Sequence, residues 1–205
     1  MHISSVDFVR EEQGIKLNVN LFFSTLGWTD VSLSVVEYIT EPIDGIQDVI
    51  LNGTPPEFLA ATSVLSYCLS AEFAESDWFQ GVRVLSRGVD SPITLRIPVR
   101  DRELIGKDLL NVEAARIQGD KLIVDVTYSG GCHTHGFQLN WDGVIKKSNP
   151  PQIDLTLSHN ANGDTCKAIM KETMLFDLSV ILEDSPGSYV VRIKSPTGEI
   201  VADTP

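Results

Sequence analysis

The sequence predicts a mainly β protein of the α+β class, with an antiparallel β-sandwich in its C-terminal half and a β-rich N-terminal half holding one main helix. Three observations carry that expectation. Several segments alternate apolar and polar residues with a period of two, the signature of a strand with one buried face. From about residue 104 such segments recur at short intervals with turn residues between them, as in two packed antiparallel sheets. A single stretch, residues 54–73, repeats its apolar positions at three and four.

Taken in order, "GIKLNVNLFFS" sets Ile15, Leu17, Val19, Leu21 and Phe23 against Lys16, Asn18 and Asn20, and "VSLSVVEY" repeats the pattern through Val31, Leu33 and Val35. In "TPPEFLAATSVLSYCLSAEF" Thr54 and Glu57 form a capping box around Pro55, which tolerates a first-turn position. Phe58, Ala61, Leu65, Leu69 and Phe73 then mark one helical face. "GVRVLS" and "ITLRIPV" read as short strands, the second at an edge because Pro98 lacks an N–H. "NVEAARIQGDKLIVDVTY" reads as a hairpin around Gly119-Asp120, with Leu122, Val124, Val126 and Tyr128 facing inward. "FQLNW", "QIDLTLSH", "MLFDLSVIL" and "SYVVRIK" follow as strands, and "SPTGE" turns the chain back into "IVAD". The softest point, "DRELIG" at 101–106, divides residues 1–103 from 104–205, as two domains or as two halves of one.

The 205 residues carry 16 basic and 28 acidic side chains, a formal net charge of −12. The excess is spread: 6 basic against 13 acidic residues in 1–100, and 10 against 15 in 101–205. That balance argues against a nucleic-acid partner, which needs a basic surface. No apolar run approaches the roughly 18 residues of a membrane span, so no membrane insertion is expected. "MHISSVDFVREEQG" has neither the basic start nor the apolar stretch of a signal peptide. As written this predicts a cytoplasmic chain; a trimmed piece of a longer chain would instead be expected in the periplasm or outside the cell.

Chemistry concentrates in two short stretches. "YSGGCHTHGFQLNW" (128–141) and "LSHNANGDTC" (157–166) hold three of the four His and two of the three Cys. By alternation His135 continues the phase of Phe137, Leu139 and Trp141, and His159 that of Ile153, Leu155 and Leu157. Cys132 is in phase with the inward face of the preceding strand, and His133 has the opposite phase. Cys132, His135, His159 and Cys166 are therefore expected at one end of the sandwich. Three readings stay open. Cys132 and Cys166 form a disulfide, which for a loop of about 35 residues stabilises by roughly 3–4 kcal/mol. Or the four side chains bind zinc tetrahedrally, as Cys132-x2-His135 with His159-x6-Cys166. Or the thiols are reduced and buried beside hydrogen-bonded core imidazoles. A reducing compartment weakens the first reading.

This pattern resembles a set of uncharacterised bacterial β-rich proteins, many of them exported. The residues that carry the resemblance are Gly130, Gly131, Cys132, His135, Phe137, Leu157, His159, Asp164, Cys166 and "FDLS" at 176–179. It spans about residues 110–182 and implies a shared fold and a paired Cys, with no activity attached.

Other signals have plainer explanations. Asn160, Asn162 and Asp164 alternate as calcium ligands do, but a tight turn favours the same residues. "NGT" at 52–54 is a formal glycosylation sequon followed by Pro55, and Cys68 reads as a small core residue. No phosphate loop, nucleophile elbow or HExxH motif occurs, and no catalytic residue is assigned. The expected function is a non-catalytic binding or structural protein of unknown ligand and oligomeric state, without cofactor, stabilised by the Cys/His cluster. The alternative is a zinc-binding protein, which as a metal-dependent hydrolase would use His133 or Asp164 as proton carrier.

Overall fold

In the computed structural model, residues 2–57, 61–86, 93–100, 103–182 and 189–202 are described. The chain divides into two compact units, residues 1–95 and 96–205.

In the first unit, β1 (His2–Glu11), β2 (Gly14–Thr25) and β5 (Thr62–Phe73) form an antiparallel sheet in the order β1-β2-β5. The alternation of β2 is the reason for its central place: Ile15, Leu17, Val19, Leu21 and Phe23 are all buried. A second group holds β3 (Thr29–Val35), β4 (Ile46–Thr54), β6 (Gly81–Ser86) and β7 (Ile93–Arg96) in the order β3-β4-β6-β7, the last residue of β7, Arg96, being the first of the second unit. There β3 and β4 are antiparallel and β4 and β6 parallel.

The expected main helix is absent, and this corrects the fold class. Thr54 ends β4 rather than capping a helix, residues 62–73 form β5, and residues 58–60 lie outside the described residues. Among the described residues no helix reaches seven residues. The misreading has a physical cause. Ala61, Leu65, Leu69 and Phe73 are spaced by four, an even number, so the same residues share a face in a strand as well. Leu65, Tyr67, Leu69, Ala71 and Phe73 lie opposite alternate residues of β2, from Phe23 to Ile15. The β-branched and aromatic content of the segment settles it as strand.

In the second unit, β9 (Asn111–Gln118), β10 (Lys121–Gly130) and β13 (Ala168–Asp177) pair antiparallel with β10 in the middle. Gly119-Asp120 closes the β9–β10 hairpin as a two-residue loop, with Gly119 at φ 63°. A five-stranded sheet runs in the order β15 (Gly198–Val201), β14 (Val190–Ser195), β12 (Gln152–Asn160), β11 (Gly136–Lys146), β8 (Val99–Arg100). One apolar core joins the inward residues of both sets, among them Leu122, Val124 and Phe176 from one side and Leu139, Leu155 and Ile193 from the other.

The expectation of a purely antiparallel C-terminal half is also corrected. β14 runs parallel to β12, and β8 parallel to β11. The chain leaves β12, crosses to pair as β13 with β10, and returns to β12 from the other end, which forces the parallel contact. The stretch "MLFDLSVIL" is not one strand either. Asp177 Oδ1 accepts the Ser179 N–H at 2.9 Å, and the chain makes a single helical turn, α1 (Ser179–Leu182).

Candidate functional site

Two loops leave the second unit at the same end. One joins β10 to β11 through residues 131–135, and the other joins β12 to β13 through 161–167. Strand register brings them together: Gly130 lies opposite Ala168, and Phe137 opposite His159. Cys132 and Cys166 are joined as a disulfide across the loops, with Cα atoms 6.0 Å apart. The expected inward phase of Cys132 does not hold. Gly131 takes φ 114°, which breaks the alternation and leaves Cys132 exposed.

Asp164 ties the two loops at a second point. Its Oδ1 accepts the backbone N–H of Cys166 at 2.8 Å, and its Oδ2 accepts those of Cys132 and His133 at 2.9 Å each. The carboxylate is enclosed, its side chain 0% exposed. The Cys166 and His133 N–H groups, helped by that of Cys132 and by the His135 imidazole, hold its pKa well below the usual carboxylate range against the opposing effect of burial. Local sequence shapes this loop. Asn162 adopts φ 51° and donates from Nδ2 to the Thr134 carbonyl at 2.7 Å, and the Asp164 N–H donates to the Ala161 carbonyl at 2.9 Å. The Asn/Asp pattern is thus the chemistry of a turn that aims a carboxylate inward.

Beneath the loops the imidazoles form a chain. His135 Nε2 lies 3.2 Å from Asp164 Oδ2, His135 Nδ1 lies 2.8 Å from His159 Nε2, and His159 Nδ1 lies 3.1 Å from the Leu109 carbonyl oxygen. Both His residues are buried, and burial first, then the neighbouring His135, lower the pKa of His159. Their rings pack with Tyr128 and Phe137; His159 stacks on Phe137 at 4.9 Å and 5°. The Tyr128 hydroxyl donates to Glu172 Oε2 at 3.1 Å, and burial, reinforced by the Glu172 charge, pushes its pKa strongly up. Arg96 is buried, pairs with Glu172 and lies 5.6 Å from the centre of the Phe137 ring.

The structure thus places Cys132, His135, His159, Asp164 and Cys166 together and leaves His133 at the rim, its side chain 62% exposed. It does not arrange Cys132, His135, His159 and Cys166 as a tetrahedral zinc set. The two sulfurs are bonded to each other, and each ring nitrogen of the two His residues faces a hydrogen-bond partner. Thiolates and free imidazole lone pairs are what zinc requires. Ligand atoms of Cys132, Asp164 and Cys166 do fall within 4.8 Å of one another, but the sulfurs are joined and the carboxylate accepts three backbone N–H groups. Sequence reasoning passed over Tyr128, Arg96 and Glu172 as site residues. The available signal was a charged Arg96 inside the apolar run "ITLRIPV", which requires a buried partner.

Neither a family profile nor a curated protein matches the chain. Among solved structures, one described as a toxin-related protein of Parabacteroides distasonis is similar at 16% identity and a TM-score of 0.40, covering 83% of this chain and 89% of that one. Another, described as a lipoprotein of Bacteroides fragilis, is similar at 11% identity and a TM-score of 0.41, covering 97% and 95%.

Proposed function

We propose that this chain is a non-catalytic binding or structural module of an oxidising compartment, in which the Cys/His/Asp cluster is an internal staple. One observation carries the reading. The Cys132–Cys166 bond and the Asp164 carboxylate join the same two loops, and both sulfurs, both Asp164 oxygens and all four ring nitrogens of His135 and His159 are engaged inside the protein. An active site needs a group left open to substrate; a staple needs the opposite.

The disulfide replaces the cytoplasmic expectation, because cytosolic thiols are kept reduced. Among the described residues no helix is long and apolar enough to cross a membrane. The net charge of −12 favours a partner other than nucleic acid. The stapled loops present His133, Thr134, Asn162 and Gly163 to solvent on a rigid base, and binding residues are often carried in this manner.

Thiol counting tests the reading. Chain recovered without reductant and unfolded in denaturant is expected to show one reactive thiol, that of Cys68, which is free and exposed. Three thiols would remove the staple and favour the zinc reading, which needs both cysteines as thiolates.

A further inference from the structure

We infer that the free edge of β5 pairs antiparallel with β5 of a second copy of this chain, giving a two-fold dimer held by strand addition. The inference is independent of the staple, which lies in the other unit. β5 ends the β1-β2-β5 sheet, and β2 is its only strand partner among the described residues. Such an edge offers a row of backbone N–H and C=O groups to whatever extended chain meets it. From Leu65 to Phe73 the pairing with β2 is continuous, without a register shift.

Among the described strands that end a sheet, the others are defended. β1 carries Asp7, Arg10 and Glu11 and shifts register between Ile3 and Ser5. β3 carries Asp30 and shifts between Thr29 and Ser32. β9 carries Glu113 and Arg116 and shifts opposite Asp125 and Val126. β15 is four residues long and includes Glu199, and β8 is two residues long. Charges, irregular register and shortness are what keep a strand edge from pairing. β5 has none of these over residues 62–71, which hold no charge and no Pro in a chain that is 21% charged. Its apolar side chains are also open to solvent: Val64 is 72%, Tyr67 41% and Leu65 38% exposed.

The charge pattern selects a second copy as the occupant. Two chains of net charge −12 meet with least repulsion where neither presents a carboxylate. Facing residues of an antiparallel pair share one side of the sheet, so a two-fold pair sets one residue opposite itself. Centred on Tyr67, the pair lays Tyr67 against Tyr67 of the second copy and Leu65 against its Leu69. Glu72, the first charge of the strand, then falls opposite Thr62, and the two Glu72 side chains stand at opposite ends of the contact. Cys68 falls opposite Ser66, so the two thiols do not face each other and Cys68 stays free. A single strand pair is a small interface, and the dimer is therefore concentration-dependent.

Sedimentation equilibrium of the full, oxidised chain over a wide concentration range tests this. The mass is expected to rise with concentration toward that of two chains. Tyr67→Lys sets two ammonium groups face to face and is expected to hold the mass at one chain. Tyr67 also packs against Phe23, so Ser66→Asp is measured beside it. Ser66 is exposed, and its substitution places a carboxylate from each copy near the two-fold, which should shift association to higher concentration. A native chain that stays single throughout would overturn the second copy as occupant and leave the edge to a strand of another protein. A dimer that persists unchanged in both variants would overturn β5 as its seat. Mild oxidation then tests the register. In Ser66→Cys the new thiol faces Cys68 of the second copy, and covalent dimers should form faster than in the native chain. Equal rates would overturn the Tyr67-centred pairing.

Discussion

The imidazole of His135 lies across Gly130: a Cβ at residue 130 would meet its Nε2 at 2.5 Å and its Cε1 at 2.6 Å. The ring cannot easily move away, because both nitrogens are engaged and Tyr128 packs against it at 4.9 Å. The first glycine of "GGC" therefore makes room for an imidazole, and the second supplies the φ of 114° that turns the chain to Cys132. Gly130→Ala is expected to cost about 1–3 kcal/mol, the usual range for overpacking a well-filled site. Denaturation with the disulfide intact measures it. An unchanged midpoint would mean that the ring has room to retreat.

Asp164→Ala should weaken the stapled end more than any exposed substitution on the same loops. It strands the N–H groups of Cys132, His133 and Cys166 and removes the partner of His135. Two readouts are expected to agree: a lower thermal midpoint than for His133→Ala, and faster reduction of the Cys132–Cys166 bond by a dithiol. Reduction at the native rate would show that the carboxylate does not restrain the loops.

A different carboxylate sets part of the acid sensitivity. Asp154 accepts hydrogen bonds from Lys146 at 2.6 Å and Lys194 at 3.2 Å, and these, Lys146 foremost, lower its pKa. A carboxylate with a depressed folded pKa stabilises the fold above its unfolded value, near 4, and loses that contribution as the pH falls through the folded value. Stability should therefore drop below about pH 4, and Asp154→Asn should flatten that drop while lowering stability at neutral pH. An acid limb of unchanged slope in the variant would assign the effect to other groups.

Legibility in the sequence followed how cleanly each segment alternates. β2 was readable because five apolar residues in phase are all buried in the same sheet face. β4 escaped because buried Gln47 sits beside buried Ile46, which breaks the alternation, and β1 because Val6 is its one fully buried apolar residue. β5 was misread because a spacing of four is common to both periods. At the site, the inward His residues follow from strand phase, whereas the cysteine pair is one of three open readings and the inward phase of Cys132 fails at Gly131. Tyr128, Arg96 and Glu172 were not legible, since their association depends on which strands become neighbours, and local pattern does not carry that.

The β9–β10 hairpin isolates backbone strain from packing. Gly119 sits at φ 63°, and a Cβ there would meet nothing within 4 Å. Gly119→Ala should then cost about 1–2 kcal/mol, the price of a left-handed conformation alone. Gly119→Asn should recover much of that loss, because Asn tolerates this region. Denaturant midpoints for the two variants measure it. Equal costs would point to a clash that the native turn does not show.

The two histidines that flank the staple differ sharply in burial. His159 is 1% exposed, stacked on Phe137, and bonded to both His135 and the Leu109 carbonyl. Replacing it with Ala removes a packed ring and leaves a buried imidazole without its partner, so a loss of about 2–5 kcal/mol is expected. His133 is 62% exposed, and its closest charged atom, Asp164 Oδ1, lies at 4.0 Å. His133→Ala should stay within about 0.5 kcal/mol of the native chain. Urea denaturation of both variants, with the disulfide intact, gives the comparison. Equal, small losses would mean that the ring chain beneath the loops adds nothing to stability, leaving the disulfide as the staple on its own.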